Sequence, residues 1–507
     1  MNVQLMSCFK ILYVCIMLVF MIACSQNSDG ARVTLGDMDE PEYADGDNSG
    51  DGDNDEDLKE YDSDWEEDVE SDVEPDTEPD SESESEKMTP TAFMFGYGQR
   101  NITPPDGTVL GGYGGPGGER VSTGVNDPLY TQVALFTNDA GEAFMLITLD
   151  STGYFYDFGD WGPGVKILRE RLTQDFADSI DIEPQHILVT ASHSHAATDL
   201  IGFWQKFGLG VSLDILNDTI RLVRDAAKDA REDLKPTTLY WAETQLEGYA
   251  GRDSGCSDVI DNTVAVLQAR NADDSVALTL TNWSKHPTIL PASNTLASSD
   301  FIWGYREEIK TRTHAPAMFT QGFVAAVHGG RHSPDGLDGY ERAYNLGKIL
   351  ADTVEASFAT LVATDEFDIY HRWTNYTSKA EGAYLLDSFN FFDMPKRYID
   401  EREDGLYLRD IEVSWHKLGS IEFGVFPGEP TPEYSFRLRD KMVSPSKFII
   451  GLGNDSIGYI IDPESAAADT SGQLAGYELM MGLGAPCGPA TWDAMESLGW
   501  FDGGHKK

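Results

Sequence analysis

The stretch His186-Ile187-Leu188-Val189-Thr190-Ala191-Ser192-His193-Ser194-His195 decides the reading of this chain. Its first half is a short β-branched and aliphatic run, strand-like in pattern. Its second half places two histidines two residues apart where the strand gives way to a loop. On an extended backbone that spacing directs both imidazoles to one side, and strand ends opening onto loops are the usual active-site positions of α/β sheets. Working outward, Gln132 to Phe136 and Ala143 to Thr148 read as further strands, whereas Val165 to Phe176, Leu213 to Ala230 and Tyr340 to Phe358 carry apolar residues three and four apart, as helices do. Around Leu239 to Glu243 and Thr263 to Leu280 strand candidates follow one another with no helix between. The expected fold is therefore α/β or α+β, with mixed β-sheets flanked by helices in one large domain over residues 91–507.

Charge divides the 507 residues unevenly. The formal net charge is -49, which argues against a nucleic-acid partner, because such proteins need clustered basic charge to displace counterions from phosphates. Between Ser25 and Pro90 stand 27 Asp or Glu residues against Arg32, Lys59 and Lys87, so about half of the excess lies in this short segment. It has few residues to bury and strong self-repulsion, and residues 24–90 are expected to form an extended acidic linker. A calcium-loop reading of Asp47 onward fails, because the twelfth position is Leu58 and not Glu.

Ahead of the linker, Lys10 supplies a positive charge and Ile11 to Ala23 form a 13-residue apolar run. That is short for a membrane span and suits a signal peptide over residues 1–23. The run ends in Met21-Ile22-Ala23-Cys24, which resembles a bacterial lipobox. The implication is lipidation of Cys24 and a lipid-anchored place in the cell envelope, with Ser25 pointing to the outer membrane. Several acyl chains on Cys24 would give stable anchoring, since roughly 0.8 kcal/mol accrues per buried methylene. Cys8 and Cys15 belong to the signal segment, and a disulfide between Cys256 and Cys487 stays open, because sequence cannot bring their backbones within reach. With no CxxC pattern, a metal site would rely on His and carboxylates. A second constellation with that chemistry is Asn282-Trp283-Ser284-Lys285-His286-Pro287-Thr288, which also follows an apolar strand and precedes Ser298-Ser299-Asp300.

These segments resemble the neutral ceramidases. Thr190-Ala191-Ser192-His193-Ser194-His195 is similar to that family's T-H-T-H loop. Phe95-Gly96-Tyr97-Gly98 to Pro104, with Gly111-Gly112-Tyr113, resembles its opening motifs, and the His286 segment resembles its second histidine segment with a downstream S-x-D. Phe323-Val324-Ala325-Ala326 leading to Ser333-Pro334 is similar to the segment that ends in its serine. Gly428-Glu429-Pro430-Thr431 and Gly451-Leu452-Gly453-Asn454-Asp455 to Tyr459 resemble its late glutamate and tyrosine segments. The matches run in order across about residues 93 to 500.

The resemblance implies a zinc-dependent hydrolase of N-acyl amides, acting on ceramide or a related acylated lipid amine. Zn2+ would be held by His193, His286, Glu429 and Tyr459, a donor set that zinc accepts. Ser333 would be the catalytic serine, as nucleophile or as a hydroxyl that positions the scissile carbonyl. His195 would orient the site or the leaving amine, and Arg252 and Tyr477 would contact substrate. From the residues alone, Arg252 reads first as a surface ion pair with Asp253 or Asp258. The chain departs from the family in three places: Ala196-Ala197-Thr198-Asp199 replaces a G-P-G loop and is expected to put a carboxylate at the pocket mouth, Arg331 and His332 flank the serine, and the family's C-terminal β-sandwich is not expected after Trp500. Two rival readings remain at this level: a zinc hydrolase of another ester or phosphoester, and a non-catalytic surface-binding lipoprotein.

Overall fold

Two adjoining strand faces explain why so much of this sequence is apolar without interruption. In Tyr130–Asn138, Val133 and Leu135 belong to one core and Ala134 and Phe136 to another. In Ala143–Leu149, Met145 and Ile147 face the first core while Phe144 and Leu146 face the second. A strand buried on both faces has no solvent side for polar residues, which is why such strands read as continuous apolar runs.

The computed structural model describes residues 89–114, 120–205, 210–252, 256, 258–328, 337, 339–381, 399–470 and 473–499. They belong to one compact unit, Met88–Lys507. The signal segment, Cys24, the acidic linker up to Met88, and Ser333 with Arg331 and His332 lie outside the described residues.

The larger sheet has nine strands: β1 (Phe93–Asn101), β2 (Tyr130–Asn138), β3 (Ala143–Leu149), β4 (Ile187–Ala191), β5 (Lys235–Gln245), β6 (Thr263–Asn271), β7 (Val276–Trp283), β8 (Ala317–Gln321) and β9 (Val362–Ala363). Their order is β8-β7-β6-β5-β1-β2-β3-β4, with β9 beside β5. The outermost pairs, β7 with β8 and β3 with β4, are parallel, and the rest are antiparallel. A second sheet of five strands contains β10 (Ile369–Ala380), β11 (Ile399–Arg402), β12 (Gly405–Leu418) and β13 (Ile421–Val425); after the short strand β14 (Glu429–Pro430), its last member is β15 (Ser446–Ile450). β14 pairs instead with β16 (Tyr459–Ile460). Phe423, Val425, Phe448 and Ile450 of the second sheet pack on Phe95, Phe136, Phe144 and Leu146 of the first. The fold is thus the expected α/β class with mixed sheets.

Helices cover the larger sheet. α1 (Val165–Phe176) and α2 (Leu213–Glu232) share the first core. α3 (Phe301–Thr313) and α4 (Gly339–Ser357) pack with Val264, Val266 and Trp283 in another. The two glycines of Phe95-Gly96-Tyr97-Gly98 have a plain packing cause. A Cβ on Gly96 would lie 1.8 Å from the Ala230 carbonyl oxygen, and one on Gly98 1.9 Å from that of Ala226, so α2 can lie on β1 only over bare backbone. Among the described residues no helix is long and apolar enough to cross a membrane, and no disulfide joins Cys256 to Cys487.

Candidate metal centre

The chain brings its candidate ligands together at strand ends. β4 ends at Ala191, β7 at Trp283, β13 at Val425 and β15 at Ile450; His193, His286, Glu429 and Tyr459 each follow one of them within nine residues. Crosslinks hold these ends in place. Gln321, the last residue of β8, donates to the carbonyls of Lys285 (2.9 Å) and Ser192 (3.4 Å). Asn282 donates to the Ile449 carbonyl and accepts from the Ile449 N–H, while Asn454 N–H donates to the Val189 carbonyl and its side chain accepts from the Val189 N–H.

At the centre, His193 Nε2 lies 3.0 Å and His286 Nε2 3.4 Å from the same oxygen, Glu429 Oε2. All three residues are buried, and none of these three atoms has a hydrogen-bond partner among the described residues. The other ring nitrogens are spoken for. His193 Nδ1 donates to the Thr152 carbonyl at 2.5 Å, and His286 Nδ1 to those of Val327 (2.9 Å) and Val324 (3.2 Å). That fixes the tautomer and turns an Nε2 lone pair toward the carboxylate on each ring. Three lone-pair atoms converging in a dry place is an arrangement that a cation resolves, and two imidazoles with a carboxylate form a zinc-compatible set. β14 and β16 are in register at Glu429 and Tyr459, so the phenol stands on the neighbouring strand position, and both residues line the same cavity.

His195 completes a buried three-histidine cluster that could hold a metal ion. Its ring stands nearly perpendicular to those of His193 (5.0 Å between centroids) and His286 (5.1 Å). The extended-strand argument for this pair is corrected by the backbone: β4 ends at Ala191 and His193 adopts φ +63°. A left-handed histidine is costly for a residue with a Cβ, and such strain concentrates at functional sites. His195 is further held by loops. The Arg120 guanidinium donates to its carbonyl and to that of Gly111, and Tyr113 meets its ring edge-on at 4.8 Å. A Cβ on Gly112 would fall 2.2 Å from the His195 ring, so this glycine is required for the close approach.

Electrostatics follow from burial and neighbours. Burial opposes charge on His193, but Glu429 outweighs it and holds the imidazole above its ordinary value. Burial raises Glu429, and His193 and His286 overcome this to bring it below the usual carboxylate range. Burial, then His193, push His286 down to about 4. His195 is driven well below its ordinary value by burial first, then by the two histidines and Arg120. Burial and neighbours thus hold His195 and His286 neutral, and Glu429 keeps the negative charge that the two Nε2 atoms face.

Other expected residues divide. Tyr477 lines the cavity, its ring 6.3 Å from that of Tyr459. Arg252 sits in a two-residue strand opposite Val327, on the segment that leads to position 333. Asp199 is not at the pocket mouth. It is fully buried, burial raises its carboxyl to about 6, and its oxygens accept from the backbone of its own loop. The Ser298-Ser299-Asp300 element is structural: both serines donate to Asp127, and Asp300 accepts from Phe301 N–H at the start of α3 and from Leu290 N–H. Sequence reasoning missed the rest of the cavity wall, which includes Ile201, Phe203, Trp204, Leu452, Ser456 and Met481. Only the Phe203-Trp204 pair close behind the histidines offered a signal.

No family model and no curated protein matches this chain. Solved structures do. The neutral ceramidase from Pseudomonas aeruginosa superposes with a TM-score of 0.64 at 14% identity, over 81% of this chain and 73% of that one. A ceramidase complexed with C2 gives 0.63 at 13% identity, over 81% and 74%. At such identity the likeness is one of fold, and the fold is ceramidase-like.

Proposed function

We propose that this chain is a zinc-dependent hydrolase of N-acyl amides, with ceramide or a related acylated lipid amine as substrate. The observation that carries the proposal is the convergence of His193 Nε2, His286 Nε2 and Glu429 Oε2 without hydrogen-bond partners. Leaving buried polar atoms unsatisfied costs roughly 1–3 kcal/mol each, a cost that a bound divalent ion removes. Tyr459, beside Glu429, is the fourth ligand in this reading. Zinc bound by these residues would supply Lewis acidity toward the scissile carbonyl and a water nucleophile.

The remaining work belongs to the chain. His193 and His286 have committed their Nδ1 protons to backbone carbonyls, so neither is the proton shuttle. His195 is neutral, buried and has an Nδ1 without a hydrogen-bond partner among the described residues, which suits it to manage the leaving amine's proton. Ser333 supports the reaction as nucleophile or as oxyanion donor, and Arg252 and Tyr477 bind substrate. In the same reading residues 1–23 are a signal peptide, lipidated Cys24 anchors the protein to the bacterial envelope, Ser25 directs it to the outer membrane, and residues 24–90 form a tether to the domain at 91–507.

The test is the zinc-loaded full chain assayed on an N-acylsphingosine, a carboxylic ester and a phosphodiester. Amide cleavage is expected, and Ser333→Ala lowers it by roughly 100-fold. Amide turnover absent while the ester or phosphodiester is cleaved overturns the proposal.

A further inference from the structure

Asp199 spends a buried carboxylate on a single turn of its own loop. Oδ1 accepts from Ile201 N–H (3.0 Å) and Gly202 N–H (2.8 Å), and Oδ2 from Trp204 N–H (3.0 Å) and Gln205 Nε2 (3.3 Å). Burying a charge is expensive unless hydrogen bonds of this kind compensate it. Gly202, at φ +87°, lets the chain reverse inside this cage of donors. The result is a fixed placement of three side chains: Ile201, Phe203 and Trp204 all line the cavity that also contains His193 and Glu429. Phe203 and Trp204 brace each other edge-to-face at 5.1 Å, and the Trp204 indole N–H donates to the Gly114 carbonyl at 3.3 Å. Leu452 and Met481 also line this cavity. It thus combines a polar, ligand-bearing region with an apolar lining, and part of that lining is held by one acid.

We propose that Asp199 is a positioning residue for substrate selection: by fixing the Ile201–Trp204 turn it builds an apolar wall for the acyl chain, so that long apolar acyl groups are preferred over short ones. This rests on the amide-hydrolase reading. The wall adds binding that grows with the number of methylenes it covers, and a pocket contact of that kind discriminates by about tenfold to a few hundredfold. Asparagine in place of Asp199 keeps the shape but presents an N–H2 group to donors, so it breaks one side of the cage while retaining the other.

The experiment compares the full-length wild type with Asp199→Asn and Trp204→Ala on N-acetyl and N-dodecanoyl forms of one amine, and measures binding of a brominated dodecanoic acid by tryptophan quenching in metal-stripped protein. Both variants are expected to lower the dodecanoyl-to-acetyl ratio of kcat/KM by about tenfold, mostly through KM, and to weaken brominated-acid binding by a similar factor. Trp204→Ala decides the matter if Asp199→Asn does not fold, since it leaves the cage intact. An unchanged ratio together with unchanged quenching overturns the proposal. Quenching by the brominated acid that Trp204→Ala abolishes, in a protein that cleaves no amide, supports the wall and removes only the hydrolase reading.

Discussion

Two histidine clusters stand among the described residues, and they are built in opposite ways. In one, His371 Nε2 donates to the Ala143 carbonyl at 2.8 Å, its Nδ1 meets His416 Nδ1 at 2.8 Å, and His416 Nε2 meets the Ser414 hydroxyl at 3.1 Å. His186 stacks on His371 at 4.2 Å and accepts from Glu183 N–H. In the other, His193 and His286 tie down one nitrogen each and leave the second facing Glu429 without a hydrogen-bond partner. Histidine content does not distinguish them. What does is the hydrogen-bond account, since spent nitrogens make a joint between sheets and unspent ones make a site.

The comparison breaks first at Glu429. Replacing it with Gln removes the charge that both Nε2 atoms face, and amide hydrolysis is expected to fall by roughly a thousandfold or more, read as kcat/KM of the zinc-supplemented protein. Hydrolysis that survives within tenfold would make the cluster a structural one like its counterpart.

The second cluster is tested by acid. Burial first, and then His186, push His371 down to about 3; His416 is driven well below its ordinary value by burial, His371, Arg169 and His186, and His186 itself is lowered by burial despite Glu183 and Asp181. Arg169, ion-paired with Glu412 at 2.9 Å, is the fixed cation facing them. Because these imidazoles bind protons less readily folded than unfolded, their stabilisation is complete above the unfolded value near 6.5 and is lost as the pH falls below it. From His371 alone the loss between pH 7 and pH 4 is about 3 kcal/mol, measurable by urea unfolding at both pH values. A stability that stays flat over this range would contradict the account. His371→Asn should remove the His371 share of that dependence, and the smallest effect expected is on zinc affinity, which should change by no more than about twofold in this variant because the two clusters share no residue.

Much of the fold was legible in the sequence where both faces of an element are constrained. α1 begins and ends where apolar spacing put it, at Val165 and Phe176, and β3 extends the expected Ala143 to Thr148 by one residue. The second sheet was not legible. β10 alternates buried, intermediate and exposed positions such as Tyr370 and Trp373, and its pairing with β12 joins residues about 40 apart, so no local run announces it. At the site, only the resemblance drew His193, His286, Glu429 and Tyr459 together, because strand ends distant in sequence meet through β4, β7, β13 and β15. Asp199 was misplaced for a physical reason: a carboxylate in a loop reads as solvated, and nothing local reveals that four donors of the next six residues would enclose it.

The claim on which the rest depends is that His193, His286 and Glu429 face a metal ion and not one another. Calorimetric titration of zinc into the metal-stripped full-length protein tests it directly, with His193→Ala alongside. The account predicts about one tightly bound equivalent in the wild type and its loss in the variant. A folded wild-type protein that binds no zinc, or a His193→Ala variant that binds it equally well, would contradict it.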